Sequence, residues 1–103
     1  MEMVKIFKAL SDPTRLEIVK ILQEGERCAC VILESVPCVQ STLSHHLKIL
    51  VEAQVIDARR DGKWTHYSIN QECAGKLKKF GDTLESSNSK ETLPVCGCTG
   101  EEE

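Results

Sequence analysis

Apolar residues recur at helical spacing in five segments of the chain and alternate in two more. In MVKIFKAL, Val4, Ile6, Phe7 and Leu10 predict a short first helix. In SDPTRLEIVKILQEG, Leu16, Val19 and Leu22 line one face, joined by Ile18 and Ile21. Asp12 is the expected N-cap, Pro13 the first helical residue and Gly25 the stop. A third, short helix is expected from about Cys30 to Ser35, closed by Pro37. The fourth, about Gln40 to Glu52, turns Leu43, Leu47 and Leu50 inward. The period then drops to two. The β-prone runs Val55 to Arg60 and Lys63 to Ile69 flank Asp61-Gly62, a dipeptide suited to a two-residue hairpin turn. A last helix, about Gln71 to Leu84, carries Cys73, Leu77, Phe80 and Leu84, with Cys73 expected in the core or at an interface.

Four helices, a hairpin and a helix predict a mainly α fold with a β-hairpin wing, a winged helix-turn-helix. In that architecture the second helix of the central pair lies in the major groove and presents short polar side chains. Residues 1–84 form the expected DNA-binding and dimerisation domain. Residues 85–103, ESSNSKETLPVCGCTGEEE, form a flexible acidic tail that contains cysteines.

Composition refines this picture. The chain has 103 residues, 41% hydrophobic but only 4% aromatic, so one core built from Leu, Ile, Val and Ala is expected. No apolar run approaches the roughly 18 residues that span a bilayer. Charges interrupt the apolar N-terminus, so no signal peptide is read there and a cytoplasmic location is expected. The net charge of −3 does not exclude a nucleic-acid partner, because residues 85–103 hold five glutamates against one lysine. The remainder is close to neutral and can carry a basic face. Six cysteines in a chain without an export signal point to reduced thiols serving as ligands, redox groups or core residues.

Gln40, Ser41, Thr42, Ser44 and His45 project from the start of the fourth helix, followed by Lys48. Gln can read adenine through two hydrogen bonds, and Ser, Thr and His can bond to base edges or phosphates. A solvated helix face would look the same in isolation, but the wing downstream gives these residues a purpose. Arg59, Arg60 and Lys63 cluster at the hairpin and suit phosphate contacts, which add affinity but little sequence information. Arg15 is a weaker candidate of that kind. His46, one step past His45, is expected to face the body or a phosphate, and His66 has no evident ligand partner.

SDPTRLEIVKIL, STLSHHLKIL and DGKWTHYSI, in this order and spacing, resemble the ArsR/SmtB family of metal-responsive and arsenic-responsive repressors. The resemblance runs from about Val4 to Leu84. It implies a homodimeric repressor, paired through its first and last helices, that leaves operator DNA when a toxic metal or metalloid binds. Where the family commonly begins the recognition helix with Ser or Thr, this chain has Val39, so Ser41 or the preceding loop is expected to supply the cap. CAC at 28–30 falls where the family's soft-metal sensors carry a cysteine pair, which makes Cys28 and Cys30 the expected inducer ligands. The family's zinc site on the last helix needs a histidine, and none follows His66.

The expected inducer is As(III), with Sb(III), Cd(II) or Pb(II) as related soft ions, since thiolates select soft over hard cations. Trivalent arsenic takes three thiolates. Enteric-type sensors place a third cysteine three residues after the second, where this chain has Leu33. Cys38, or Cys96 and Cys98 around Gly97 in the tail, are the expected substitutes. Side chains two apart on a helix diverge, so binding is expected to favour an unwound or shifted third helix. The same thiols allow an alternative signal, disulfide formation in a redox switch. An enzyme would need a nucleophile, a base and a cleft, and the histidines lie on the expected DNA face instead.

Overall fold

A computed structural model describes residues 2–86. The elements run α1 (Glu2–Leu10), α2 (Pro13–Leu22), β1 (Arg27–Cys28), α3 (Ala29–Ser35), α4 (Gln40–Glu52), β2 (Ile56–Asp61), β3 (Trp64–Ile69) and α5 (Gln71–Ser86). This is the winged helix-turn-helix. The last helix continues two residues beyond the expected Leu84. No helix among the described residues is long and apolar enough to cross a membrane.

Local signals set the helix ends. The Asp12 carboxylate accepts from the Thr14 and Arg15 amides at 2.8 and 3.1 Å, closing the start of α2 ahead of Pro13. Gly25, at φ +132°, turns the chain out of α2 toward β1. The end of α4 is a Schellman motif: the Gln54 amide donates to the Val51 carbonyl and the Val55 amide to the Leu50 carbonyl. Gln54 takes φ +63° there, and the flanking Leu50 and Val55 are buried. Asn70 caps α5 by accepting from the Cys73 amide at 2.8 Å, while its own amide donates to Asp57 in β2 at 2.9 Å.

The core gathers Ile6 and Ala9 of α1, Ile18 and Leu22 of α2, Ile32 of α3, Leu43, Leu47 and Leu50 of α4, and Val55 and Ile56 at the start of the wing. Cys73, only 4% exposed, joins them. The expected inward face of α2 is corrected here. Its buried residues are Ile18 and Leu22, one helical turn apart, whereas Leu16 is 48% exposed. Val19 and Ile21 pack only partly against the core.

The sheet is antiparallel with strand order β1-β3-β2. The two-residue strand β1 was not foreseen from the pattern, being too short to show an alternation. The turn is also shifted by one position from the expected Asp61-Gly62. Asp61 pairs with Trp64, so Gly62 and Lys63 are the central residues. Gly62 has φ +65° in the first central position, as a type II′ turn requires.

Candidate nucleic-acid interface and thiol site

Gln40, Ser41, Thr42, Ser44, His45 and Lys48 are all exposed on α4, while Leu43, Leu47 and Leu50 hold the opposite face in the core. Val39 occupies the N-cap with no side-chain capping bond, so neither Ser41 nor the loop supplies the expected acceptor. Its side chain is 66% exposed. The first-turn amides of α4 are thereby left open to bond an incoming acceptor.

His46 turns inward. Its side chain is 12% exposed, and Arg15 Nη1 lies 3.1 Å from its Nδ1. Arg15 Nε donates to the Ala9 carbonyl at 2.6 Å, and His46 Nε2 stands 3.9 Å from Asp12 Oδ2. One guanidinium therefore joins the end of α1 and the start of α2 to α4, an anchoring contact beyond the weaker phosphate role considered for Arg15. The Arg15 and Thr14 amides, the former contributing more, hold the Asp12 carboxyl below its ordinary value.

On the wing, Arg59 grips Glu26 with two bonds, Nε to Oε2 at 3.1 Å and Nη2 to Oε1 at 2.8 Å. These bonds keep the Glu26 carboxyl charged to lower pH and raise the Arg59 value. Arg60 and Lys63 are exposed and make no ion pair among the described residues. Arg60, Lys63 and the open end of α4 thus carry the accessible donors.

The thiols meet without unwinding α3, because Cys28 lies outside the helix. Cys28 ends β1 in extended backbone, φ −84° and ψ 161°, while Cys30 lies in the first turn of α3. The change of direction between strand and helix brings the two sulfurs to 2.7 Å. Contact with the Cys30 thiol, helped by the Val31 amide, lowers the Cys28 value; the same contact raises that of Cys30. The pair therefore holds one thiolate more readily than either cysteine would alone. Cys38 is half-buried against the core between α3 and α4. No group of three or more His, Cys, Asp or Glu side chains among the described residues is gathered to hold an ion. Cys96 and Cys98 lie outside the described residues.

Two connections were invisible in the sequence because they depend on strand register. Cys28 is paired across the sheet with His66, and His66 with Arg59 on its other side. Directly paired residues share a sheet face. Glu26, two residues before Cys28, is the partner of Arg59. The thiol strand and the wing are therefore joined by a backbone ladder and by an ion pair. Next to Cys30, a cleft of about 380 Å³ opens between Cys30, Leu33, Gln40 and Ser44 and the wing residues Lys63, Trp64 and Tyr67.

Comparison with known proteins agrees with this geometry. Residues 12–58 match the family described as bacterial regulatory protein, arsR family. A helix-turn-helix-type transcriptional regulator of Methanocaldococcus jannaschii is 43% identical over 81 residues, 78% of this chain and 91% of that protein. The arsenical resistance operon repressor of Staphylococcus xylosus is 40% identical over 87 residues, 84% of each chain. A homologue of the cadmium resistance transcriptional regulatory protein from Staphylococcus aureus is 40% identical over 78 residues, 75% of this chain and 64% of that one. Among solved structures, an ArsR family transcriptional regulator superposes with a TM-score of 0.77 at 20% identity, covering 87% of this chain and all of that one. A homodimeric winged helix-turn-helix DNA-binding domain from Mycobacterium bovis gives a TM-score of 0.68 at 24% identity, covering 92% and 88%. These two likenesses concern the fold alone.

Proposed function

The chain belongs to the arsR family of bacterial regulatory proteins, DNA-binding transcriptional regulators and not enzymes, and from that premise we propose a homodimeric repressor released from its operator by a soft metal or metalloid, As(III) foremost. Cys28 and Cys30 are the primary ligands in this reading, with Cys96, Cys98 and Cys38 as candidate further sulfurs. Sb(III), Cd(II) and Pb(II) compete for the same donors, since soft thiolates bind them all. Gln40, Ser41, Thr42, Ser44 and His45 read bases in the major groove. Lys48, Arg59, Arg60 and Lys63 face phosphates, with Arg59 first leaving Glu26. Val4, Phe7, Phe80 and Leu84, exposed on α1 and α5, form the subunit contact.

The observation that carries the reading is the convergence of the two sulfurs at the junction between β1 and α3. An ion bound there pulls on the segment from Glu26 to Cys30, and so on the Arg59 clamp and the ladder to β3. The state that binds the ion and the state that binds DNA then favour different wing positions, which is what coupling requires. A coupling of about 1–3 kcal/mol changes operator affinity about 5- to 150-fold.

The test is fluorescence anisotropy on DNA from upstream of the protein's own gene, under strong reductant, with each ion titrated. Release by As(III), lost in Cys28→Ser/Cys30→Ser, supports the reading. Release by a mild oxidant but by no ion would assign the same thiols to a redox switch. Failure of the reduced protein to bind that DNA would refute the repressor itself.

A further inference from the structure

We propose that His46 makes the seat of the reading helix sensitive to pH: protonation of its ring breaks the contact with Arg15 that ties α4 to the body, and operator affinity falls on acidification. This rests on the proposed function and adds a second form of regulation to it. A guanidinium carries only N–H donors. Arg15 Nη1 lies 3.1 Å from His46 Nδ1, so that ring nitrogen is the acceptor and the proton of the neutral ring sits on Nε2. An imidazolium has an N–H at both positions. It cannot accept from Arg15, and two cationic donors would face each other across the same gap.

The neighbours leave a charged ring no way to keep the present arrangement. Arg15 and Asp12 of α2 face it, and on α4 itself the His45 ring centroid lies 6.0 Å away. The end of α1 enters through the Ala9 carbonyl, which accepts from Arg15 Nε. Arg15 repels an imidazolium, while Asp12 attracts it from 3.9 Å. The Asp12 carboxylate is held by the Thr14 and Arg15 amides, so the ring turns toward the cap or Arg15 withdraws. The bond between Arg15 and His46 is lost either way. With the His46 side chain only 12% exposed, water does not readily replace the missing partner. Histidine side chains take up their proton between about pH 8 and pH 5. The contact needs the neutral ring, so it is complete at the upper end of that range and lost toward the lower end.

The sign separates this device from ordinary electrostatics at a DNA surface. The chain has three histidines. Protonating exposed His45 on α4, or His66 on the wing, adds positive charge and strengthens phosphate binding. Protonating His46 instead loosens the helix that carries the readers. The thiol pair acts on the wing through β1, whereas the proton acts on α4 through α2, so the two inputs use different residues.

The test is anisotropy of the full chain on the same upstream DNA from about pH 8 to pH 5.5, at constant ionic strength, under reductant and without added metal. Affinity in His45→Asn/His66→Asn, where only His46 titrates, should fall about tenfold across this range, the factor that loss of one hydrogen bond to a charged group supplies. His45→Asn also lowers affinity at every pH, since His45 is a proposed reader. Adding His46→Asn, which offers Arg15 an acceptor that does not titrate, should flatten the profile. Arg15→Met should flatten it as well, and because it keeps the histidine the test stands even if His46→Asn folds poorly. Nitrogen-15 NMR of the wild type without DNA should find the His46 proton on Nε2 at the upper end of the range. A fall that survives in the His46→Asn or Arg15→Met background, affinity that rises on acidification when only His46 titrates, or a neutral ring protonated at Nδ1 would overturn the switch and leave the repressor reading intact. Absence of binding at every pH would overturn both.

Discussion

At Cys28 a single contact decides the chemistry. The Cys30 thiol beside it lowers its value, while burial raises that of Cys73. Iodoacetamide should therefore modify Cys28 before Cys30 and Cys73 near neutral pH, and Cys30→Ala should move the Cys28 rate profile to higher pH. Mass-spectrometric mapping of alkylation against pH checks both. Asp12 makes a second residue-scale case. Its folded value lies below the ordinary 3.8, so its contribution to stability is present above that value and is lost as the pH falls through the lower folded one. Asp12→Asn keeps a capping oxygen without the charge, so its melting temperature should fall less between pH 5 and pH 2 than that of the wild type. The Asp12 cap and the exposed polar face of α4 were legible because each is defined by its own residue types and its near neighbours. His66, Arg15 and Glu26 were not, since their partners, Cys28, His46 and Arg59, lie more than 30 residues away in the sequence.

Among the elements, α4 was the most legible. Leu43, Leu47 and Leu50 repeat at the helical period, and its bounds, Gln40–Glu52, are as the pattern predicts. Its weak point is the uncapped start. Val39→Ser should stabilise the fold by about 1 kcal/mol, a rise in melting temperature of roughly 4–8 °C for a domain of this size. Calorimetry measures this directly. Asn70 is the opposite case, a cap that also holds the wing through Asp57. Asn70→Ala should cost about 1 kcal/mol and loosen the base of β2, read as faster amide exchange from Ile56 to Arg59. The strand β1 could not be read ahead because two residues carry no period, and only pairing with Tyr67 and His66 defines it. The one-residue shift of the turn has a similar cause: Asp61 and Gly62 suit the centre of a turn, but the ladder from Ile56–Ile69 to Asp61–Trp64 sets the register.

For the whole molecule, the relevant feature is the apolar surface that one chain leaves uncovered. Phe7 and Phe80 meet edge to face at 5.4 Å, and Lys76 ties α5 to Glu2 of α1 at 2.8 Å. Even so, Val4, Phe7, Phe80 and Leu84 stay exposed. If the proposed dimer forms through this surface, Phe80→Asp should leave the protein monomeric in sedimentation equilibrium and weaken operator binding, since paired half-sites need two reading helices at a fixed separation. Helix periodicity located these residues, but Leu16 shows its limit. Spacing alone cannot tell a residue that faces its own core from one left on the outside.

The strand order β1-β3-β2 has an evolutionary consequence. Neighbouring strands stand about 4.8 Å apart, so the thiol strand and the outer strand of the wing are separated by a single intervening strand. In the proposed reading the primary ligands, Cys28 and Cys30, sit on β1 and α3, and the bases are faced by a different element, α4. Substitutions around that pair would then retune what is sensed while the operator stays the same, and drift in α4 would move the protein to a new operator without loss of its inducer. Lineages that inherit this arrangement can diversify the two specificities independently, one short segment at a time.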